Sequence, residues 1–84
     1  MKTIVITGGS EGLGKAIARQ LSDNKIIIIS NNEEKLVEVS KELRCDYRVC
    51  DVTDYDQVET TIKDILDNYK DIDVLINNAG IWLA

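Results

Sequence analysis

Residues 3–22 read TIVITGGSEGLGKAIARQLS, and the prediction of the fold starts from this stretch. The β-branched run Thr3–Thr7 is typical of a fully buried strand. A glycine-rich turn follows, and a helix is predicted from about Leu13, with Leu13, Ile17 and Leu21 on one apolar face. This succession brings free backbone N–H groups and the positive end of a helix dipole together at one point. The stretch therefore predicts an anion site, for which a pyrophosphate is the usual ligand.

Three spaced glycines in the turn each have a separate predicted role. Gly8 permits the sharp exit from the strand, where a positive φ angle is needed. Gly12 has no Cβ atom, so a diphosphate can approach the backbone closely, and Gly14 lets the helix pack tightly on its own strand. Because three glycines between two regular elements are unfavourable without such a reason, we interpret the turn as a nucleotide site rather than a plain connection.

A second nucleotide motif overlaps the same turn. Residues 9–16 read GSEGLGKA, which matches the phosphate-loop pattern G-x-x-x-x-G-K-[ST] at every position except the last. Ala16 stands where a magnesium-binding hydroxyl is needed, and the best later strand ends in Asn77 rather than in a metal-holding Asp. A dinucleotide site needs no metal, so we favour it over the phosphate loop and interpret Lys15 as a solvated helix residue.

The composition excludes several functional classes. The chain has 84 residues, a net charge of −5 and no histidine. Such a charge argues against binding to nucleic acids or anionic membranes, and the lack of histidine argues against a zinc site or a histidine-based nucleophile. We find no spanning apolar run and no signal-peptide pattern, and we expect a cytoplasmic location. Cys45 and Cys50 are expected to be free thiols on opposite faces of one strand.

The whole chain, residues 1–84, reads as one β-α-β-α-β-α-β unit. The second strand, 25–30, is KIIIIS, whose continuous apolar run predicts a parallel sheet covered on both faces. Asn31 is predicted to cap the second helix, and Asp54 with Gln57 to begin the third. We predict an α/β Rossmann-like three-layer sandwich of strand order 3-2-1-4, with the first two helices on one face and the third on the other. The ligand crevice should open at the carboxyl ends of the first and fourth strands.

The predicted fourth strand, 72–76, is apolar and lies at an edge of the sheet. An open apolar edge favours pairing with another chain, and one helix cannot cover a whole face of four strands. We therefore expect either the first part of a larger domain or a homo-oligomer that forms through this edge and the uncovered face.

Three motifs together resemble the N-terminal portion of the short-chain dehydrogenase/reductase family. Residues 7–14, TGGSEGLG, are similar to its T-G-x-x-x-G-x-G cofactor motif, Asp51–Val52 resembles the pair that holds the adenine ring, and 77–80 matches its N-N-A-G motif. The resemblance covers essentially the whole chain and implies an NAD(P)-binding Rossmann unit. The cofactor-binding residues that it and the turn predict are Gly8, Ser10, Glu11, Gly12, Leu13, Gly14, Ser30, Asn31, Asp51, Val52, Asn78, Ala79 and Gly80.

The family's chemistry uses a Ser and a Tyr-x-x-x-Lys pair beyond the N-N-A-G motif, and no such pair is present in these residues. The resemblance thus implies cofactor binding by this chain and hydride transfer only by a longer one. The alternative is a non-catalytic truncated or engineered Rossmann fragment that folds by self-association. Asp51 has a second interpretation as a cap of the following helix. Asn77 and Asn78 have an alternative interpretation as residues that bond only to backbone groups of a turn.

The choice between NAD and NADP stays open at this point. An acidic residue at the end of the second strand would select NAD, but Ser30 occupies that place. NADP calls for a nearby Arg or Lys, whereas Asn31 and Asn32 are neutral and Glu11 would repel a 2′-phosphate.

Overall fold

A computed structural model describes the chain over residues 1–78. Its elements, in chain order, are β1 (Thr3–Thr7), α1 (Gly12–Gln20), β2 (Lys25–Ser30), α2 (Glu33–Leu43), β3 (Asp46–Val49), α3 (Tyr55–Tyr69) and β4 (Val74–Asn77). The four strands form one parallel sheet in the order β3-β2-β1-β4. The predicted element order, fold class and strand order are therefore confirmed.

The core consists of two apolar clusters, one on each face of the sheet. Alternate residues of β1 and β2 point to opposite faces, which is why their uninterrupted β-branched runs are buried throughout. The cluster under α1 and α2 contains Ile4, Ile6, Ala18, Ile26, Ile28, Leu36 and Val39. The cluster under α3 contains Val5, Ile27, Ile29, Cys50 and Ile65. Two helices thus cover one face and one helix covers the other, as predicted.

Helix α1 packs on the sheet through Ile17 and Leu21 as predicted, but not through Leu13. Leu13 was expected at the inner face, but its side chain is 67% exposed. Gly14 and Ala18 are buried, and Ile17 and Leu21 pack against the same cluster, so the contact stripe runs at i, i+3, i+4 and i+7 from Gly14. The first residue of the stripe is a glycine, so the apolar pattern points to its neighbour Leu13 instead.

The caps of α2 and α3 follow their local sequence. Asn32, not Asn31, caps α2, because the helix begins at Glu33; Asn32 Oδ1 accepts a hydrogen bond from Lys35 N at 3.1 Å. Asp54 caps α3 as predicted, and its Oδ1 accepts from Gln57 N at 3.3 Å. Both helices therefore have side-chain acceptors for their first N–H groups.

Strand β4 is held against the start of β1 by a reciprocal pair of hydrogen bonds. Thr3 N donates to Asp73 Oδ2 at 2.8 Å, and Asp73 N donates to Thr3 O at 2.9 Å. The strand begins at Val74 rather than at the predicted Ile72, whose side chain packs in the α3 cluster. Among residues 1–78, β4 forms one edge of the sheet, and its Leu75 is 58% exposed.

Both cysteines are free thiols, and they lie on opposite sides of the sheet as expected. Cys45 packs against the α1–α2 cluster, and Cys50 is buried in the α3 cluster. Within residues 1–78 we find no helix whose length and apolar character would allow it to cross a membrane.

Candidate functional site

The loops that follow β1, β2 and β3 lie together at the carboxyl end of the sheet, as parallel strands require. Two hydrogen bonds continue the strand pairing into these loops. Gly8 N donates to Ile29 O at 2.7 Å, and Cys50 N donates to Ser30 O at 2.8 Å. The relative positions of the three loops are therefore set by the sheet itself.

The glycine turn adopts the backbone that its sequence predicts. Gly8 has a φ of 69° and Gly12 a φ of 55°, in the left-handed region that favours glycine. A Cβ atom at Gly12 would have no heavy atom within 4 Å and would point into open space. A Cβ atom at Gly14 would lie 2.1 Å from Gly8 O and 2.8 Å from Asn78 Nδ2. Gly14 therefore permits close packing, but against the turn and Asn78 rather than along its own strand.

Gly9 has a role that the sequence did not reveal. A Cβ atom there would lie 2.5 Å from Ile28 Cγ2, because the turn crosses directly over β2. The signal that could have found it is the doublet Gly8–Gly9 itself, since a turn over a neighbouring buried strand needs a residue without a side chain.

The N-terminus of α1 has unsatisfied donors. Gly12, Leu13 and Gly14 form its first turn, where backbone N–H groups have no acceptor within the helix. Glu11 holds the N-cap position in extended conformation, and its side chain makes no capping hydrogen bond. Because α2 and α3 both have side-chain caps, α1 is the helix whose first N–H groups and positive dipole end can accept an anion.

Thr7 links the ends of β1 and β4. Its Oγ1 accepts a hydrogen bond from Asn78 N at 2.9 Å and lies 2.9 Å from Asn77 Oδ1, to which it can donate. The Asn77 side chain thus joins the ends of β1 and β4, whereas Asn78 Nδ2 lies beside Gly14. This link was not predicted, although Thr7 is the first residue of the T-G-x-x-x-G-x-G motif.

The loop after β3 is built around Asp51. Asp51 Oδ1 accepts from Thr53 N at 2.9 Å and from Thr53 Oγ1 at 2.6 Å, and these bonds from the hydroxyl and the backbone lower the pKa of Asp51. Asp51 N donates to Gln57 Oε1 at 3.0 Å. Asp51 does not cap α3, because Asp54 does. Its carboxylate stays ionised at neutral pH and closes the turn.

Two adjoining cavities at these loops form what we call the loop groove. One is lined by Gly8, Ser10, Glu11, Ser30, Asn31, Asn32 and Asn78. The other is lined by Gly8, Ser30, Asn31, Cys50, Asp51, Val52 and Thr53. The two share Gly8, Ser30 and Asn31, so the end of β2 lies between the glycine turn and the Asp51 loop.

Most of the predicted binding residues therefore meet at one place. Gly12, Leu13 and Gly14 line neither cavity and instead form the first turn of α1, directly after Glu11. Ala79 and Gly80 lie outside the described residues. Three lining residues were not predicted as binders, namely Asn32, Cys50 and Thr53.

A third cavity lies on the α3 face and is largely apolar. Its lining includes Val58 and Ile62 of α3 and the exposed Leu75 of β4. It shares Cys50 and Val52 with the loop groove. The cavity lies between α3 and the sheet, and Leu75 of β4 is the exposed residue on its open side. In residues 1–78 no group of three or more metal-ligating side chains is close enough to hold an ion.

Known proteins resemble this chain in sequence and in fold. A family model described as short chain dehydrogenase matches residues 2–84. An uncharacterised oxidoreductase of Staphylococcus epidermidis is 35% identical over 87 residues, covering 99% of this chain and 38% of that protein. An alcohol dehydrogenase of the archaeon Thermococcus sibiricus, solved with 5-hydroxy-NADP, is 34% identical to this chain, with a TM-score of 0.84. The match covers 89% of this chain and 35% of that dehydrogenase. A 3-ketoacyl-(acyl-carrier-protein) reductase of Brucella melitensis, solved with NADH, has a TM-score of 0.89 and 25% identity over 95% and 34% of the two chains.

Proposed function

The chain belongs to the short-chain dehydrogenase family, and from this premise we propose that it forms the N-terminal, NAD(P)-binding part of an oxidoreductase. The complete enzyme would transfer hydride between a nicotinamide ring and an alcohol or carbonyl substrate. The chain spans 38% of the length of the staphylococcal relative, and its 84 residues contain no Tyr-x-x-x-Lys. We therefore propose that this chain binds the cofactor and that hydride transfer requires the longer protein.

The observation that carries the proposal is the uncapped first turn of α1 beside an open glycine turn. The N–H groups of Gly12, Leu13 and Gly14 would hold the diphosphate, and the absent Cβ at Gly12 leaves the space that its oxygens need. Val52 and the ionised Asp51, at the far end of the loop groove, would hold the adenine. The residues present therefore fit a dinucleotide.

The remaining predicted binders have supporting roles. Ser30 and Asn31 lie between the two ends of the loop groove, where the adenosine ribose of a dinucleotide would lie. Asn78, Ala79 and Gly80 would contact the cofactor on the side where its nicotinamide half lies. The cofactor supplies the hydride chemistry when bound; the chain's own residues bind and orient it.

The contacts of Lys15 favour a dinucleotide over a phosphate-loop nucleotide. Lys15 Nζ lies 3.1 Å from Glu42 Oε1, so its ammonium group pairs with α2. A phosphate-loop lysine must instead reach the phosphates, and Ala16 offers no hydroxyl for Mg²⁺.

We also propose that the chain self-associates through the β4 edge and the uncovered sheet face, as a homo-oligomer. The exposure of Leu75 and the apolar cavity beside α3 support this, because apolar surface of this kind is normally covered. The alternative of a non-catalytic fragment that folds by self-association makes the same prediction. The two free thiols support the proposed cytoplasmic location.

The test is a calorimetric and thermal-shift titration of the chain with NAD, NADP and ATP with Mg²⁺. We expect a dinucleotide to bind and to raise the melting temperature, since a ligand at about 100 times its Kd stabilises the folded state by about 2.7 kcal/mol. Gly12→Val, which fills the open space above the turn, should abolish this rise. Glu38→Gln on the exposed surface of α2 should leave it unchanged. Binding of ATP with Mg²⁺ alone, or of no nucleotide, would refute the proposal.

A further inference from the structure

Two cations of α1 share one carboxylate of α2. Lys15 Nζ lies 3.1 Å from Glu42 Oε1, and Arg19 Nη2 donates a hydrogen bond to Glu42 Oε2. The bond from Arg19, followed by the one from Lys15, lowers the pKa of Glu42. The carboxylate of Glu42 is therefore ionised at neutral pH, and it holds both cations against α2.

Lys15 lies close to the uncapped N-terminus of α1. It is the fourth residue of the helix, so its Cα is about 5 Å along the axis from Gly12. Helical side chains lean toward the N-terminus of their helix, so a free lysine at this position would extend toward the open space beside Gly12. Lys15 is instead paired with Glu42 and lines neither cavity of the loop groove.

The phosphate charge that the glycine turn can hold depends on whether Lys15 takes part. The backbone N–H groups at a helix N-terminus amount to only about half a positive charge, which favours a diphosphate. A nucleoside triphosphate carries more negative charge, and in a phosphate loop a lysine ammonium pairs with it. Residues 9–15, GSEGLGK, place a lysine at that position. The ion pair with Glu42 is what keeps its ammonium group from the turn.

We propose that Glu42 is a positioning residue that holds Lys15 away from the glycine turn and so keeps the site selective for a dinucleotide over a nucleoside triphosphate. This inference rests on the proposed function and adds to it a residue of α2 that lies outside the loop groove. Arg19 pairs with the same carboxylate but lies four residues further along α1. Its release should therefore contribute less at the N-terminus of the helix.

The experiment is calorimetric titration of the full chain and of Glu42→Gln with NAD and with inorganic triphosphate, without Mg²⁺. We expect Glu42→Gln to bind triphosphate about fivefold more tightly than the parent chain. This factor converts to about 1 kcal/mol, the upper strength of an exposed ion pair. The affinity for NAD should change less, because a diphosphate carries fewer charges. The gain should shrink at high salt, because screening weakens the attraction between Lys15 and the phosphates.

Three matched variants separate a contact by Lys15 from a change in net charge. Glu42→Gln combined with Lys15→Met should lose the gain in triphosphate affinity. Glu42→Gln combined with Arg19→Met has the same net charge and should keep most of the gain. Glu38→Gln removes an exposed glutamate of the same helix and should bind triphosphate as the parent chain does. A merely structural role for Glu42 would lower the affinity for both ligands, whichever cation is removed.

The outcomes separate this inference from the proposed function. Unchanged or undetectable triphosphate binding in Glu42→Gln, or equal loss of the gain with Lys15→Met and Arg19→Met, overturns the role of Glu42; NAD binding by the parent chain would still support the proposed function. If the parent chain does not bind NAD, the proposed function fails, and the triphosphate titrations still decide the role of Glu42.

A single substitution tests the inference if Glu42→Gln does not fold. Because Lys15 is held by Glu42 in the parent chain, Lys15→Met alone should leave the affinity for NAD unchanged. A loss of NAD affinity in this variant would show that Lys15 already reaches the phosphates, and it would overturn the inference.

Discussion

Replacement of Gly14 by alanine should destabilise the chain even though it lies inside a helix. In an ordinary helix, alanine in place of glycine gains about 1 kcal/mol. Here the added Cβ would lie 2.1 Å from Gly8 O and 2.8 Å from Asn78 Nδ2. The nearest atom belongs to the backbone of the turn, so the helix or the turn must move. Overpacking of this kind costs about 1–3 kcal/mol, and a backbone neighbour places it at the upper end of that range.

The net expectation for Gly14→Ala is a loss of about 2 kcal/mol in the free energy of unfolding, after the helix gain is subtracted. In a chain of this size the loss corresponds to a fall of about 10 °C in melting temperature. Thermal denaturation followed by far-UV circular dichroism, without any ligand, measures it directly. A melting temperature equal to or above that of the parent chain would show that the close packing of α1 against the turn is wrong.

Gly12→Ala is the matched variant, because the same change occurs two residues earlier at a site with open space. Gly12→Ala should lower the free energy of unfolding by about 1 kcal/mol, because a residue with a Cβ atom is strained at the φ of 55° found there. Its methyl group points into the space assigned to the diphosphate. We therefore expect Gly12→Ala to lose less stability than Gly14→Ala but to weaken dinucleotide binding. Equal stability losses in the two variants would argue against the contact at Gly14.

Three further predictions concern contacts away from the glycine turn. Tyr69→Phe removes the 2.6 Å hydrogen bond to Asp46 Oδ2 and should lower stability in urea by about 1–2 kcal/mol; an unchanged midpoint would contradict this. Burial and that bond raise the pKa of Tyr69 to about 12. The stability that the neutral hydroxyl contributes is therefore full below pH about 10 and is lost as the pH rises toward 12. This alkaline loss of stability should be missing from Tyr69→Phe. Thr7→Val removes the acceptor for Asn78 N and should cost about 1–2 kcal/mol in the same urea assay, whereas Thr7→Ser should retain most of the stability; equal losses would argue against the hydroxyl. Burial raises the pKa of Cys45 to about 11, so iodoacetamide should alkylate it more slowly at pH 8 in the native chain than in urea, and equal rates would refute its burial.

The fold could be predicted because its signals are local and repeated. Thr3–Thr7 and the four isoleucines of β2 are continuous β-branched runs, and such runs are typical of a parallel sheet covered on both faces. Asp54 marks the start of α3 because its side chain accepts from the first N–H groups of the helix. Each of these features depends on residues that are close in sequence.

The errors arose where a small residue or a one-residue shift changed which side chain faces inward. Leu13 is apolar but exposed, because the stripe of α1 that packs on the sheet starts at Gly14. Asn31 and Asn32 are chemically identical, and only the point at which α2 begins decides that Asn32 caps it. Patterns of apolar and polar residues do not resolve such shifts.

The contacts that complete the candidate site join residues far apart in the chain. Thr7 and Asn78 are 71 positions apart, and they meet only because β4 pairs with β1 in a particular register. The close approach of Gly9 to Ile28 likewise depends on how the turn crosses β2. Spacing along the chain carries no direct information on either contact.

The hydrogen bonds from Gly8 N to Ile29 O and from Cys50 N to Ser30 O fix the shape of the loop groove in the folded chain. Because the sheet already fixes the loops, their conformational entropy is lost when the chain folds and not when a ligand arrives. A dinucleotide entering the groove would then give up mainly its own internal freedom, and association would proceed without a slow rearrangement of the protein.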